Sequence, residues 1–377
     1  MKRKTIIVGG GSAGMSCALK LLEANEDFLL ITDVLGGRMM YSDKEKVNFG
    51  AYFIMDNYDN AKKLVTRETL LKKTTACFHN SPTEFFPVIS LRTLSLAPEF
   101  LRFLKVMREF QAHYEPYKRN CMVMSQKETM ESDPYMKELF VKPASEFIKE
   151  KRFEKVAFDF VSKFSYACTG VSMDKITALD FLNVSVGMMV PIHRFKFDQK
   201  GMAKKLGNHL VIDSIQKIES KDGRHILTSK SGDSYEAENI VVATPAAITK
   251  ELLGLEEIRE SCKLYVFHVT AKLKPNFSKY EMNLFPFESE IIFTSIQDDG
   301  SYLIYTREKN ADLKQVCESY KLINRVSWDK AMYVTGRAYM EQQYGDSIYV
   351  AGDHNGLGLE PTAVSGIYAA NQILKKR

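Results

Sequence analysis

Apolar and polar positions in the first thirty-five residues follow two different periods. Residues 5–8 form a short apolar run rich in β-branched side chains, which predicts a buried strand. Apolar residues then recur at helical spacing from Ser12 to Leu22, and residues 28–31 form a second apolar run. The order strand, helix, strand predicts an α/β unit with a parallel sheet.

A glycine turn joins the first predicted strand to the predicted helix. Gly9, Gly11 and Gly14 satisfy the spacing G-x-G-x-x-G. In such a turn the second glycine lets the backbone approach a pyrophosphate, and the third lets helix and strand pack closely. The amides of Ser12 and Ala13, in the first helical turn, favour phosphate oxygens. The sequence therefore predicts a dinucleotide site here and leaves open whether the ligand is NAD or FAD.

The residues after the second strand narrow that choice. Asp33 ends the strand and can accept a hydrogen bond from a ribose hydroxyl, and Gly36, Gly37 and Arg38 follow. This segment resembles the FAD-dependent amine oxidase superfamily, which includes relatives of the phytoene desaturase and protoporphyrinogen oxidase type. The resemblance implies that the glycines and the arginine lie along the FAD pyrophosphate, where a guanidinium offers a planar fork. Only two residues separate Asp33 from Gly36, fewer than in the family.

Three shorter matches follow the same resemblance. Gly50 and Ala51 match the end of a family segment with the pattern Asp-x-Gly-Ala. In this sequence Asn48 stands where the family has the aspartate. The resemblance gives Ile215 a backbone contact with adenine. It places Ala243 in a V-x-A-x-P-like segment where the chain leaves the FAD domain.

The last fifty residues resemble the superfamily's C-terminal flavin motif. A strand runs into Gly-Asp, and a glycine-rich turn and a long helix follow. The resemblance assigns these residues to the cofactor: Gly352, Asp353, Glu360, Pro361, Thr362 and Ala363. Asp353 is expected to bond the ribityl or phosphate portion of FAD. The start of the helix is expected to face the pyrimidine edge of the flavin, where its dipole stabilises negative charge.

These motifs lie near both ends of the chain and in its centre. They predict an α/β fold: a Rossmann-type FAD-binding domain with an interleaved α+β substrate domain. The FAD-binding domain is expected over residues 1–55, 190–255 and 330–377, and the substrate-binding domain over residues 56–189 and 256–329. Strands near residues 263–270, 290–295 and 301–306 predict an antiparallel sheet that floors the substrate cavity.

A helical pattern over residues 100–110 is apolar, with Arg102, Lys105 and Arg108 interleaved. We expect this helix to pack over the substrate cavity. Contact with an anionic membrane surface is the alternative interpretation.

Composition excludes several classes of protein. Of 377 residues, 45% are hydrophobic and 26% charged, as in ordinary globular proteins. The 52 basic and 47 acidic residues are mixed, with a net charge of +5, which disfavours a nucleic-acid partner. Six scattered cysteines lack metal-ligand spacing, so we expect no metal site, no disulfide framework and a cytoplasmic location. Nothing in the sequence indicates an oligomeric state.

The expected chemistry is that of the flavin. The motifs predict an FAD-dependent oxidoreductase of the amine oxidase-like type, which transfers a hydride from a small organic substrate, at an amine or a C–H or C–C bond, to flavin N5. Oxygen or another acceptor would then reoxidise the flavin. Some amine oxidases of the superfamily bind their flavin covalently through a cysteine, and this sequence has no counterpart of it near residues 328–333 or 353–366, so the resemblance implies non-covalent FAD. The candidate catalytic residues are Lys272, Lys274, Trp328, Tyr333 and His354.

Two other functions remain open. Gly358 stands where amine-oxidising relatives have an aromatic residue over the flavin, so the chain could be a catalytically idle FAD-binding partner subunit. A non-redox flavoenzyme resembling UDP-galactopyranose mutase is the other alternative, because residues 49–53 loosely resemble that family's early loop.

Overall fold

The computed structural model describes residues 1–221, 223–256 and 258–376. The strands are β1 (Lys2–Gly10), β2 (Phe28–Leu35), β3 (Tyr41–Ser42), β4 (Val47–Asn48), β5 (Ile54–Met55), β6 (Thr66–Leu70), β7 (Ala76–His79), β8 (Phe85–Pro87), β9 (Ile192–Lys196), β10 (Leu210–Ile212), β11 (Ile215–Lys221), β12 (Arg224–Ser229), β13 (Ser234–Val242), β14 (Glu260–Leu273), β15 (Met282–Leu284), β16 (Ile291–Ile296), β17 (Tyr302–Thr306), β18 (Cys317–Thr335), β19 (Gln343–Tyr344) and β20 (Ile348–Val350). The α-helices are α1 (Ser12–Glu23), α2 (Leu91–Ser95), α3 (Ala97–Asn120), α4 (Gln126–Glu131), α5 (Pro134–Val141), α6 (Ala144–Lys151), α7 (Glu154–Val156), α8 (Ser162–Thr169), α9 (Ala178–Ser185), α10 (Gln199–Leu206), α11 (Ala246–Leu253), α12 (Pro275–Ser278) and α13 (Leu359–Leu374).

The first large sheet is a parallel sheet with an antiparallel extension. Strands β10, β2, β1, β13 and β20 run parallel in that order, and β12 and β11 extend β13 as antiparallel strands. In register, Val8 of β1 lies opposite Ile31 on one side and Val242 on the other. The carboxyl ends of these strands therefore meet at one edge, which is where open α/β sheets bind ligands.

The second large sheet is mixed and lies in the order β18-β14-β17-β16-β15-β7-β8. Its longest pairing is antiparallel, between β14 and β18, with Leu264 opposite Trp328. Strand β7 joins by parallel pairing with β15. The first sheet draws its strands from residues 2–35, 210–242 and 343–350, and the second from residues 76–87 and 260–335. A three-stranded sheet, β5-β9-β6, and a two-stranded sheet, β3-β4, complete the arrangement.

The predicted α/β fold class is confirmed, and the early elements match closely. The strand predicted at residues 5–8 lies in β1, the predicted helix is α1, and the second strand lies in β2. The three strands predicted near residues 263–306 are β14, β16 and β17, and they pair antiparallel as expected.

The helical pattern at residues 100–110 lies within α3, which packs into the protein core. Phe103, Val106, Met107 and Phe110 are all buried. The interleaved basic residues at positions 102, 105 and 108 are exposed on the other side. Contact of this helix with a membrane surface stays a prediction.

Over the residues that the structure describes, no helix has both the length and the apolar character needed to cross a membrane. Nor do the described residues contain a cluster of three or more His, Cys, Asp or Glu side chains placed to bind a metal ion.

Candidate functional site

Two helices begin at the carboxyl edge of the first sheet without a side-chain cap. Helix α1 begins after Gly11 and α13 after Gly358, and neither position supplies a capping hydrogen bond. Five helices have such caps, from Ser90, Ser125, Asp133, Thr177 and Asp198. Helices α3, α6, α7, α8, α11 and α12 also lack one, and α11 follows β13 of the first sheet. The first-turn amides of an α-helix have no intrahelical acceptor, so an uncapped start with its positive dipole end attracts an anion.

Close packing brings the two uncapped starts together. The Ser12 hydroxyl donates to the carbonyl oxygen of Leu359 at 3.1 Å, which joins the first turn of α1 to the first turn of α13. A β-carbon on Gly366 would lie 2.0 Å from the Ala13 carbonyl oxygen, so only glycine allows this helix contact. The N-terminal and C-terminal motifs therefore form one site.

The three glycines of the first motif have different roles in the structure. Gly9 has φ +106°, a conformation that favours glycine. A β-carbon on Gly14 would lie 1.8 Å from the Gly9 carbonyl oxygen, so Gly14 is required for packing. Gly11 has an ordinary φ of −79°, and a β-carbon there would meet no atom within 4 Å. The fold itself does not require glycine at position 11. The open space in front of it fits the phosphate approach predicted from the motif.

Arg38 and Asp353 form an ion pair across this site. Arg38 Nη1 lies 2.5 Å from Asp353 Oδ2 and also donates to the Ala331 carbonyl at 3.1 Å. The backbone N–H of Tyr333 donates to the same carboxylate oxygen at 3.3 Å. Burial raises the pKa of Asp353, but the charge and hydrogen bond of Arg38 outweigh it and bring the pKa to about 2.

The second carboxylate oxygen of Asp353 remains available to a ligand. Oδ1 is buried and accepts no hydrogen bond from the described residues. A buried acceptor without a donor is costly, and a hydroxyl of the ribityl chain would supply one. This unpaired oxygen, the open space at Gly11 and the uncapped helix starts all fit FAD.

The segment that contains Arg38 packs against the first glycine turn on one side and against residues 50–51 on the other. Gly36 donates to the Gly10 carbonyl at 2.8 Å, and a β-carbon on Gly37 would lie 3.1 Å from the α-carbon of Gly11. On the other side, the Arg38 carbonyl accepts from Ala51 N–H at 2.8 Å. A β-carbon on Gly50 would lie 2.0 Å from the same carbonyl oxygen. The structure thus brings the two predicted segments together.

The residues predicted for the adenosine portion lie at the same sheet. The carboxylate of Asp33 is exposed at the end of β2 and accepts only from the adjacent Val34 N–H among the described residues. Ala243 follows β13 directly and donates to the Val8 carbonyl at 2.8 Å, beside the glycine turn. Ile215 is buried at the start of β11. Their contacts with FAD stay predictions.

Glu360 has a structural partner that the sequence did not indicate. Its buried carboxylate accepts from Asn60 N–H at 3.0 Å, from Ala61 N–H at 2.8 Å and from Asn60 Nδ2 at 2.9 Å. It therefore caps the short 3-10 helix Ala61–Leu64. Burial raises the pKa of Glu360, although these donors oppose the shift.

The other residues of this turn lie at the start of α13. Gly352 donates to the Ser365 hydroxyl at 2.9 Å, and the Thr362 hydroxyl donates to the Gly358 carbonyl at 2.6 Å. Ala363 is buried, and Pro361 lies against Gly356.

The structure does not bring Lys272 or Lys274 to the site. Both are exposed, and Lys272 forms an ion pair with Glu318 at 2.5 Å. Leu264 of β14 pairs with Trp328, and Lys272 lies eight residues further along the same strand. At roughly 3.3 Å per residue, that separates the two positions by about 26 Å.

The remaining catalytic candidates lie near the site, but two of them have structural contacts. Trp328 Nε1 donates to the Phe49 carbonyl at 2.7 Å, which fixes the backbone just before Gly50. The buried Tyr333 hydroxyl accepts from Ala247 N–H at 3.1 Å. His354 is buried beside Asp353, and burial lowers the pKa of its imidazole.

An apolar cavity of about 120 Å³ adjoins this site, and the sequence did not reveal it. Its wall includes Tyr52, Phe53, Phe164, Cys168, Met188 and Phe293. Tyr52 and Phe53 directly follow the predicted flavin contacts Gly50 and Ala51, which is the only sequence signal for the cavity.

Comparisons with known proteins support the fold. No protein-family model matches the sequence, and no curated protein matches it. Among solved structures, putrescine oxidase bound to putrescine is 12% identical, with a TM-score of 0.72 over 100% of this chain and 99% of that one. Cyclohexylamine oxidase from Brevibacterium oxydans is 12% identical, with a TM-score of 0.66 over 99% and 98%.

A third solved structure has a different activity. The fatty acid isomerase from P. acnes, which produces CLA, is 14% identical, with a TM-score of 0.71 over 99% of this chain and 98% of that one. The chain therefore shares its fold with these three solved structures.

Proposed function

We propose that this protein is an FAD-dependent oxidoreductase that binds FAD non-covalently. The observation that carries the proposal is the convergence of two uncapped helix starts with the Arg38–Asp353 ion pair at one edge of the parallel sheet. Each of these elements supplies what one portion of FAD requires. We place the protein in the cytoplasm, because its six cysteines are free thiols.

Each group of the site has a defined task in this proposal. The first-turn amides of α1 and the Arg38 guanidinium bind the pyrophosphate. Asp33 accepts from the ribose, and the backbone at Ile215 contacts adenine. Asp353 Oδ1 accepts from the ribityl chain. The start of α13 faces the pyrimidine edge, where its dipole favours negative charge.

Bound FAD would supply hydride acceptance at N5 and transfer of the electrons to oxygen or another acceptor. The protein would bind a small organic substrate in the adjoining cavity and exclude water from it. The cavity wall is almost entirely apolar, which suits a hydrocarbon group better than a hydrophilic one. This favours reaction at a C–H or C–C bond over oxidation of a charged amine.

A redox-neutral reaction is the second candidate. The similarity to a fatty acid isomerase favours it, because that structure shares the fold at a TM-score of 0.71. A nucleotide sugar, the substrate class of the mutase alternative, fits the apolar cavity poorly, because its diphosphate and hydroxyls need many polar partners.

Anaerobic mixing of the purified holoprotein with candidate substrates tests the proposal. An oxidoreductase loses its oxidised-flavin absorbance when its substrate is added, and oxygen or another acceptor restores it. An isomerase converts its substrate while the flavin spectrum returns to the oxidised form without an acceptor. No response to any apolar substrate or amine would favour an idle FAD-binding subunit, and a protein that binds no flavin would overturn the proposal.

A further inference from the structure

The apolar cavity has one charged side chain in its wall. Lys73 is the only acidic or basic residue among the described residues that line it. Its ammonium donates to the carbonyl oxygen of Val190 at 2.5 Å, and among residues 1–221, 223–256 and 258–376 no carboxylate forms an ion pair with it. Lys73 is half-buried and therefore lies between the apolar wall and solvent.

The two fully buried lysines of the described residues differ from each other. Lys118 forms ion pairs with Asp59 at 3.1 Å and Glu115 at 2.9 Å. Lys163 donates to the Phe158 carbonyl, and burial lowers its pKa to about 8, although the charge of the nearby Asp159 opposes that shift. Burial against an apolar wall disfavours an ammonium ion, and a single carbonyl compensates only partly. Burial accordingly lowers the pKa of Lys73 to about 8, so most of the population remains charged at neutral pH.

We propose that Lys73 binds the carboxylate of an apolar carboxylic acid whose hydrocarbon portion fills the cavity. This inference rests on the proposed function, because it names the substrate class of the same site. A bound carboxylate would supply the countercharge that the described residues lack. The aromatic side chains of Phe53, Phe164 and Phe293 would pack against the hydrocarbon.

The same arrangement disfavours other classes of substrate. A protonated amine would meet a positive charge in an apolar wall and no carboxylate among the described lining residues. A phosphate ester would need several donors, whereas the wall offers one ammonium. The charge and the apolar lining of the cavity therefore select a monoanionic amphiphile.

The charged and titratable groups on the elements around Lys73 have other contacts or remain neutral. Lys72, the preceding residue in the sequence, is exposed. The nearby groups with partners are Glu281 with Thr75, His193 with Asp56, and Arg194 with Asp298. Burial raises the pKa of the Cys168 thiol to about 12, so it stays neutral. The carboxylate affinity should therefore follow the protonation of Lys73.

Calorimetric titration of the holoprotein with hexanoate, hexanol and hexylamine tests this proposal, because a short hydrocarbon tail matches a cavity of about 120 Å³. We expect Lys73→Met to weaken hexanoate binding at least about 10-fold, in line with loss of one charged hydrogen bond. Hexanol binding should change little. Lys73→Arg should retain hexanoate binding, and Lys72→Met, the matched control on the exposed neighbour, should leave it unchanged. Wild-type affinity for hexanoate should fall as the pH rises above about 8, whereas that of Lys73→Met should not.

Equal hexanoate affinity in wild type and Lys73→Met would overturn the inference, as would tighter wild-type binding of hexylamine than of hexanoate. The flavin content of each preparation is measured separately. If the preparations contain no FAD but wild type still binds the carboxylate more tightly than Lys73→Met does, the proposed function is refuted and the carboxylate site stands. If the preparations contain FAD but wild type and Lys73→Met bind the carboxylate equally, only the carboxylate site is refuted.

Discussion

Arg38 and Asp353 lie 315 positions apart in the sequence, yet Arg38 Nη1 lies 2.5 Å from Asp353 Oδ2. Each belongs to a different flavin motif, one after the second strand and one before the last helix. Their ion pair fixes the distance between the two motifs at the edge of the sheet. We therefore expect removal of either partner to weaken both FAD binding and the fold.

Substitution at this pair should weaken FAD binding. In Arg38→Ala the site loses a guanidinium that we assign to the pyrophosphate, and the buried Asp353 loses its countercharge. We expect the dissociation constant for FAD to rise about 10- to 100-fold, the equivalent of one or two charged hydrogen bonds. Fluorescence titration of the apoprotein measures it. Arg67→Ala is the control, because Arg67 forms an exposed ion pair with Asp56, and its FAD affinity should match wild type. Wild-type affinity in Arg38→Ala would exclude Arg38 from the site.

The same pair predicts a pH-dependent contribution to stability. The pKa of Asp353 is depressed from 3.8 to about 2 in the folded protein. The contribution is therefore fully present above about pH 5 and is lost as the pH falls through the folded pKa. The difference in free energy of unfolding between wild type and Asp353→Asn should be about 1 kcal/mol smaller at pH 3 than at pH 5. Urea unfolding at both values measures it, and a constant difference would contradict the assigned charge interaction.

Substitution by alanine should have different effects at Gly11 and at Gly14, two glycines of the same turn. In Gly11→Ala the new methyl group meets no protein atom, so the stability of the apoprotein should change by less than about 0.5 kcal/mol. FAD affinity should nevertheless fall at least about 10-fold, because the methyl group occupies the space that we assign to the pyrophosphate. Gly14→Ala should instead fail to fold, since its methyl group would lie 1.8 Å from a carbonyl oxygen. If Gly11→Ala binds FAD normally, the pyrophosphate lies elsewhere.

Glu360 should contribute chiefly to stability. Glu360→Ala leaves the buried amides of Asn60 and Ala61 without their acceptor, at a cost of about 2 to 5 kcal/mol in free energy of unfolding. Glu360→Gln retains an acceptor oxygen and should lose less. Denaturant unfolding in the presence of saturating FAD measures the free energy of unfolding of Glu360→Ala and Glu360→Gln, and we expect the lower value for Glu360→Ala. A loss of FAD affinity without loss of stability in Glu360→Ala would instead support a direct role at the cofactor.

The sequence predicts the parts of this protein that depend on local patterns. The turn from Gly9 to Gly14 could be recognised because its strand, glycines and helix are adjacent in sequence. The same is true of Asp353 and the helix that follows it. Lys272 could not be placed, because its distance from Trp328 depends on the register of β14 against β18.

The cavity could not be predicted for a related reason. Its wall combines Tyr52, Phe164 and Phe293, which belong to segments with no shared motif. Lys73 is one of 52 basic residues, and only the folded structure shows that an apolar wall and a lone carbonyl surround it. Glu360 likewise matched a flavin motif, whereas its carboxylate binds the backbone at Asn60 and Ala61.

Release of FAD on heat denaturation is the most direct test of the proposed cofactor site. Purified protein is denatured by heat, and the supernatant is separated by chromatography against FAD, FMN and NAD standards. We expect FAD in the supernatant at one molecule per chain, and a clear loss of FAD in Gly11→Ala prepared in parallel. A wild-type protein that releases no flavin, and whose apoprotein takes up none when FAD is added in excess, would show that this protein is not a flavoprotein.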